Sequence, residues 1–353
     1  DARFFNDALG VTFDWYNRTT SDILTTANLP ATLGADAPYE NMGTIQTKGW
    51  ELAIDYRHTF KNGLHFGVTA SVADDKTEVT KWTYNTKIPS YGATGWWDKS
   101  AYKEGMVLGD IWGLQFDRFL TEDDFNADGS LKAGLPDQTK VFPAGYQFAP
   151  GDVLYKDLDN NGEIVKQTNT NDKGDLSVIG NALPRLQFGL NLDAAWKGFD
   201  ISMFFQGVAK RKLWAAGNQV LPGFTTGEPF YKGAEDYWTP ENTDAFYPRP
   251  MDYKQSASGN YSVNDRYLLN MAYLRLKTFT VGYSLPKVWL SKFKVQGLRV
   301  YFTGENLFTI DGVKPAIDPE IGIRTASGKS DQRNFGRSYP YQKTVSFGIQ
   351  LSL

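Results

Sequence analysis

Apolar and polar residues alternate one by one along much of this chain. Leu9, Val11, Phe13 and Trp15 are separated by Gly10, Thr12 and Asp14, and Trp50, Leu52, Ile54 and Tyr56 by Glu51, Ala53 and Asp55. The same period runs through 64–72, 186–196, 199–205, 298–302 and 345–353. Successive side chains of a strand point to opposite faces, so each segment predicts a strand with one apolar and one polar face. One segment changes phase: Leu274 and Leu276 share one parity, whereas Phe279, Val281, Tyr283 and Leu285 share the other. Either a β-bulge near Lys277-Thr278 or a strand that leaves the apolar zone there explains the change.

The connections between these strands are unequal in a regular way. Lys61-Asn62-Gly63 and Lys197-Gly198 are tight turns and 286–297 is modest, whereas about 25–42, 83–184, 215–270 and 311–340 are long and polar. Short and long links alternate. That pattern predicts an all-β, transmembrane antiparallel β-barrel with periplasmic turns, long extracellular loops and a periplasmic C-terminus. Counting back from the last strand gives about eight spanning strands. Eight strands alone make a barrel filled by its own side chains, so a wider barrel is expected, to which these strands contribute part of the wall. A soluble sandwich also alternates, but several strands run to ten or more residues, near membrane-spanning length. Trp15-Tyr16, Tyr56, Trp196, Trp214 and Tyr283 sit near strand ends, as in an interfacial girdle.

Composition narrows the chemistry. No run approaches the roughly 18 apolar residues of a spanning helix, and hydropathy alone reads as soluble, but transmembrane strands alternate apolar with polar residues and average out. The 353 residues include no Cys, which excludes disulfides and thiolate metal sites, and only two His, His58 and His65. The net charge of −3 and the lack of a basic run argue against nucleic acid as a partner. No nucleophile elbow or P-loop is present, and carboxylates such as Glu51, Asp55 and Asp193 fall on the polar faces, where lumen lining accounts for them; no enzyme activity is expected. The N-terminal Asp1-Ala2-Arg3 carries no initiator Met or signal-peptide pattern, as expected of an exported mature protein or a piece of a longer chain.

Several motifs in order resemble the SusC/RagA family of TonB-dependent outer-membrane transporters. Tyr237-Trp238-Thr239-Pro240-Glu241-Asn242 with Tyr247-Pro248-Arg249 resembles its WTPEN…YPR loop. Tyr273-Leu274-Arg275-Leu276-Lys277 with Val281-Gly282-Tyr283-Ser284-Leu285-Pro286 resembles its YLRLKN…LGY-x-LP strand. Leu298-Arg299-Val300-Tyr301 with Gly304-Glu305-Asn306-Leu307-Phe308 resembles the strand that follows, Pro319-Glu320 a DPE element, and Lys48-Gly49-Trp50-Glu51 a KG-x-E strand. The resemblance implies that residues 1–353 are the C-terminal portion of a 22-stranded barrel, without the plug, TonB box or signal peptide. It further implies a Gram-negative outer-membrane location, lipid and lipopolysaccharide around the wall, and a SusD-like lipoprotein over the loops. TonB would act through a plug carried elsewhere, and the cargo would be a glycan fragment or peptide. An adhesin or structural barrel without import is the alternative, and an outer-membrane hydrolase a third.

The candidate sites are few. Asp157, Asp159, Asn161 and Glu163 lie in a D-x-D-x-N-G-x-I run that fits the start of a calcium loop, making Ca2+ the one candidate cofactor. The acid expected at the twelfth place is Thr168, and Asp172 or Asp175 could substitute; the dull alternative is an Asx-rich turn. A second run, 124–131, reads as a solvated loop. Trp96, Trp97, Tyr231 and Trp238 are the loop aromatics expected to meet cargo or lid. Ser346, Gly348, Leu351 and Leu353 resemble the signal read by the barrel-assembly machinery, with Leu where the family more often ends in Phe.

Overall fold

The computed structural model describes residues 1–26, 38–83, 103–166, 173–215, 217–224, 230–251, 259–290, 295–314, 317–320, 325–326, 329–330 and 341–352. A single nine-stranded antiparallel meander dominates it: β1 (Ala2–Phe4), β2 (Leu9–Thr26), β3 (Tyr39–Thr59), β4 (His65–Trp82), β5 (Arg185–Trp196), β6 (Phe199–Lys210), β7 (Tyr273–Ser284), β8 (Gly297–Asp311) and β9 (Thr344–Ser352). Each strand pairs with its neighbours in chain order. Eight of the nine are long, as the alternation predicts, and β1 is a three-residue addition ahead of them. The tight turns lie at one end of the sheet and the long connections at the other. Lys197 and Gly198 both have positive φ, 48° and 86°, the handedness of a two-residue hairpin turn that matches strand twist.

Register makes one face continuously apolar. Leu9, Tyr56, Val68, Leu192, Met203, Phe279, Gly304 and Val345 form one row across β2 to β9. The next row toward the turns runs through Phe66, Ala194, Ile201, Val281, Phe302 and Phe347. The row beyond holds Trp196, Phe199, Tyr283, Val300 and Ile349. Many of these side chains are open on the outward face, Phe347 being 81% and Ile349 74% exposed. Burial in the protein's own interior therefore does not explain them; a lipid-facing belt does. Trp15 and Trp50 pair at its upper edge, and Tyr56, His58 and Phe60 line its lower edge. Eight residues along β3 separate Trp50 from His58, roughly 27 Å of strand and about 20 Å of height at a ~40° tilt. β2, β3 and β4, at 18, 21 and 18 residues, run well past the 9–11 that suffice to span.

The phase change in β7 is a bulge. Phe204 pairs with Thr278 and Phe205 with Leu276, so Lys277 is the extra residue. Leu274 and Leu276 thereby face the same way as Phe279 and Val281 despite opposite parity.

Two apolar cores lie outside the sheet, within the long connections. One joins Ile111 to Leu213, Trp214, Leu221, Tyr267 and Met271; the other joins Leu114, Phe119, Val153 and Tyr155 to Trp238 and Ala245. Trp214 thus belongs to a core, at 2% exposure, and not to the girdle. Two-stranded ribbons, Asp110–Gly113 with Ser177–Asn181 and Phe116–Phe119 with Val153–Tyr155, organise these segments.

Candidate functional site

The face opposite the belt is polar. Thr12, Ala53, Ser71, Gly189, Gln206, Arg275 and Thr309 form one row across it. Ion pairs stud the surface, Arg3 with Asp55 at 2.7 Å and Arg299 with Asp200 at 2.5 Å, and the His65 ring lies 3.5 Å from the Asp193 carboxylate. Gly49 and Gly348 are small for a packing reason. A Cβ at Gly49 would lie 2.4 Å from the Tyr16 ring, and one at Gly348 2.2 Å from the Tyr301 ring. Tyr–Gly pairs of this kind let a ring lie flat over the neighbouring strand. In the C-terminal motif, Ser346 pairs with Thr303 on the polar face, Leu351 pairs with Leu298 on the belt face, and Leu353 lies outside the described residues.

Two motifs distant in sequence meet on the polar face. The bulged strand supplies Arg275 and Lys277, and the segment after β8 supplies Asp318 and Glu320. Arg275 Nη2 donates to Asp318 Oδ1 at 2.7 Å, while Lys277 Nζ donates to both oxygens of Glu320 at 3.2 and 3.0 Å. The bulge turns Lys277 to the same face as Arg275, and the Tyr341 ring caps both cations, 5.2 and 4.7 Å from its centroid. Two motifs 43 residues apart thus acquire a shared purpose: YLRLK and DPE are the two halves of one clamp.

The long connections are tied together by polar contacts as well as apolar ones. Asp152 is fully buried and accepts from the Ala149 N–H, the Tyr146 hydroxyl, Arg249 Nε and Asn260 Nδ2 at 2.8–2.9 Å. Arg266 stacks over Phe116 and Phe119 at 4.3 and 4.9 Å and donates to the carbonyls of Ala245 and Phe246. Asp124, expected in a solvated run, is instead bound at both oxygens by Arg118 at 2.6 and 2.7 Å and caps a short turn through the Thr121 N–H. The Arg118 hydrogen bonds hold its carboxyl at about 2, against an ordinary 3.8. Its neighbour Asp128 remains exposed, caps Ser130 and fits the solvated reading.

The acidic run folds as an Asx-wrapped loop. Asp157 accepts from the Asn161 and Gly162 N–H groups, and Gly162 has φ 86°. Asp157, Asp159 and Asp175 bring carboxylate oxygens within 4.8 Å of one another. Asn161 turns inward on its own loop, and the Glu163 carboxylate is taken by Lys140, so Asp175 rather than Glu163 completes the group. Loss of solvent around the crowded carboxylates, then the Asp175 and Asp157 charges, raise the exposed Asp159 carboxyl above its ordinary value. A cation would relieve that repulsion, and the all-oxygen donor set suits Ca2+.

Of the aromatics, Trp96 and Trp97 lie outside the described residues. Trp238 is 7% exposed inside a core and packs over Gly151, so it is a structural anchor and not a contact for cargo or lid. Tyr231 is 37% exposed and lines a cavity of about 620 Å³ together with Tyr237 and Tyr247. Sequence reasoning found Tyr231 but not the cavity, whose walls come from separate stretches of the loop shell around Pro222, Tyr231, Pro248 and Tyr261.

No family model matches the chain. The TonB-dependent receptor P3 of Formosa agariphila is 27% identical over 363 residues, taking in 99% of this chain and 33% of that protein. The TonB-dependent receptor SusC of Bacteroides thetaiotaomicron is 22% identical over 362 residues, 100% of this chain and 31% of its own length. The resemblance to SusC/RagA-type TonB-dependent receptors therefore extends over the whole chain. Among solved structures, one of the RagAB peptide transporter superposes with a TM-score of 0.68 at 20% identity, over 98% of this chain and 33% of that one. The fold is accordingly that of a TonB-dependent transporter barrel wall, and the chain spans about a third of the length of the SusC-like relatives it matches.

Proposed function

We propose that this chain forms barrel wall and extracellular loop shell of a SusC-like, TonB-dependent importer in a Gram-negative outer membrane. The observation that carries this reading is the two-faced sheet, with rows dominated by apolar and aromatic side chains outward and ion-paired, hydroxyl-bearing rows inward. Lipid and the hydrocarbon of lipopolysaccharide cover the first face, and water borders the second. The tight turns and the C-terminus are periplasmic, and the long connections face the cell exterior. A nutrient, a glycan fragment or a peptide, is captured among those connections beneath a SusD-like lipoprotein. A plug coupled to TonB, in another part of the protein, opens the path. The curated relatives' receptor names and the RagAB likeness support this reading.

The test is accumulation of labelled oligosaccharides and oligopeptides by cells with and without the transporter, each with intact or disabled TonB. Import predicts uptake that needs both. Surface binding that persists without TonB, with no internal label, would instead favour an adhesin.

A further inference from the structure

The 620 Å³ cavity in the loop shell is large enough for a small ligand or two to three side chains. Tyr231, Tyr237 and Phe230 present rings that are 37%, 40% and 58% exposed, and Tyr247 closes the floor with its hydroxyl already donated to the Val220 carbonyl. Pro222, Pro248 and Pro250 complete the wall. Lys232 and Glu235 stand beside the rings in the cavity wall.

This lining discriminates between cargo classes. A sugar ring stacks well on tyrosine, but its hydroxyls lose water on entry and need planar amides, carboxylates or guanidinium groups in return. Among the described lining residues Glu235 is the one such group, with no Asn, Gln, Asp or Arg beside it to satisfy the several hydroxyls of a sugar. An apolar or prolyl side chain makes no such demand, and tyrosine–proline walls are the surface that extended, proline-containing peptides occupy. Lys232 and Glu235 offer one charge of each sign, matching the carboxylate and ammonium of a short free peptide.

We infer that this cavity is a peptide subsite: it takes an aromatic or prolyl side chain of an extended oligopeptide, whose charged ends meet Lys232 and Glu235. The inference rests on the import reading for its role, but the binding itself is separable.

The experiment uses the complete transporter in detergent, titrated calorimetrically with Ala-Phe-Pro-Ala, with its acetylated and amidated form, and with maltotetraose. Tetrapeptide binding is expected to weaken about tenfold in Tyr231→Ala, by loss of one stacked ring. It should vanish in Ala234→Trp, which fills the cavity from an exposed turn. The end-blocked peptide should bind several-fold more weakly than the free one. Three outcomes overturn the inference: maltotetraose binding that depends on Tyr231, absence of tetrapeptide binding, or tetrapeptide binding unchanged in both variants. A fall in affinity for a partner lipoprotein, with peptide affinity unchanged, also overturns it and assigns the cavity to the lid. Tyr231-dependent binding without TonB-dependent accumulation would leave the subsite standing and remove the import reading, whereas accumulation without it would do the reverse.

Discussion

Arg275 and Asp318 are joined by a 2.7 Å hydrogen bond although 43 residues separate them, and their side chains are only 3% and 6% exposed. The pair pins the segment after β8 against the polar wall, and Glu320 with Lys277 doubles the attachment. Removing one member of such a buried set strands charge without solvent, at a cost of about 3–5 kcal/mol. Arg275→Met should therefore lower the temperature at which the heat-resistant folded band is lost on gels, and should open the chain to protease at 317–320. Unchanged protease resistance would show that the segment is held by something else.

Phe347 faces outward at 81% exposure with Ser346 beside it on the other face. A Lys on the lipid face near mid-belt costs about 2–4 kcal/mol, whereas a lumenal Lys costs little. Phe347→Lys should shift the urea midpoint for folding into lipid vesicles accordingly, and Ser346→Lys should leave it nearly in place. Equal effects of the two substitutions would contradict the assignment of faces.

Acid should loosen the Arg118–Asp124 turn at a defined point. The Asp124 carboxyl is depressed to about 2 in the folded chain, so the stability it contributes is complete above its ordinary value of 3.8 and disappears as pH falls toward 2. Protease cleavage within 117–131 is expected to rise over that window. Asp124→Asn should cleave readily at pH 7 and lose this step; a step retained in Asp124→Asn would assign it to another group.

The Asp157, Asp159 and Asp175 group is proposed as a weak Ca2+ site. Extracellular modules with this donor chemistry bind on the order of 10⁻⁴–10⁻³ M. Calorimetric titration with CaCl2 should show one site in that range, absent in Asp159→Asn, whose side chain is exposed. Identical heats for the protein and its Asp159→Asn variant would reduce the loop to an Asx turn.

The sheet was legible because its rules are local: period two names the faces, and the phase change at Lys277 names the bulge. The motif runs holding Arg275 and Glu320 were visible separately, but their pairing was not, since nothing in either segment encodes the other. The loop shell was the least legible part. Trp214 and Trp238 look like surface aromatics in sequence, and only contacts such as the Phe116 N–H with Asp265 Oδ1, 149 residues away, show that a core surrounds them. Glu163 has the right spacing for a metal ligand, but Lys140 reaches it first.

That shell has a bearing on how such proteins diversify. Residues 103–182 and 211–271 share both cores and cross-hydrogen-bond at Leu114 with Val263, Val153 with Asn260 and Arg249 with Asp152. Neither connection is a modular appendage that could be exchanged alone. A chimera that inherits one from a relative receives half a hydrophobic interior, so new specificities arise by transplanting the two together or by changing only side chains that line their open surfaces.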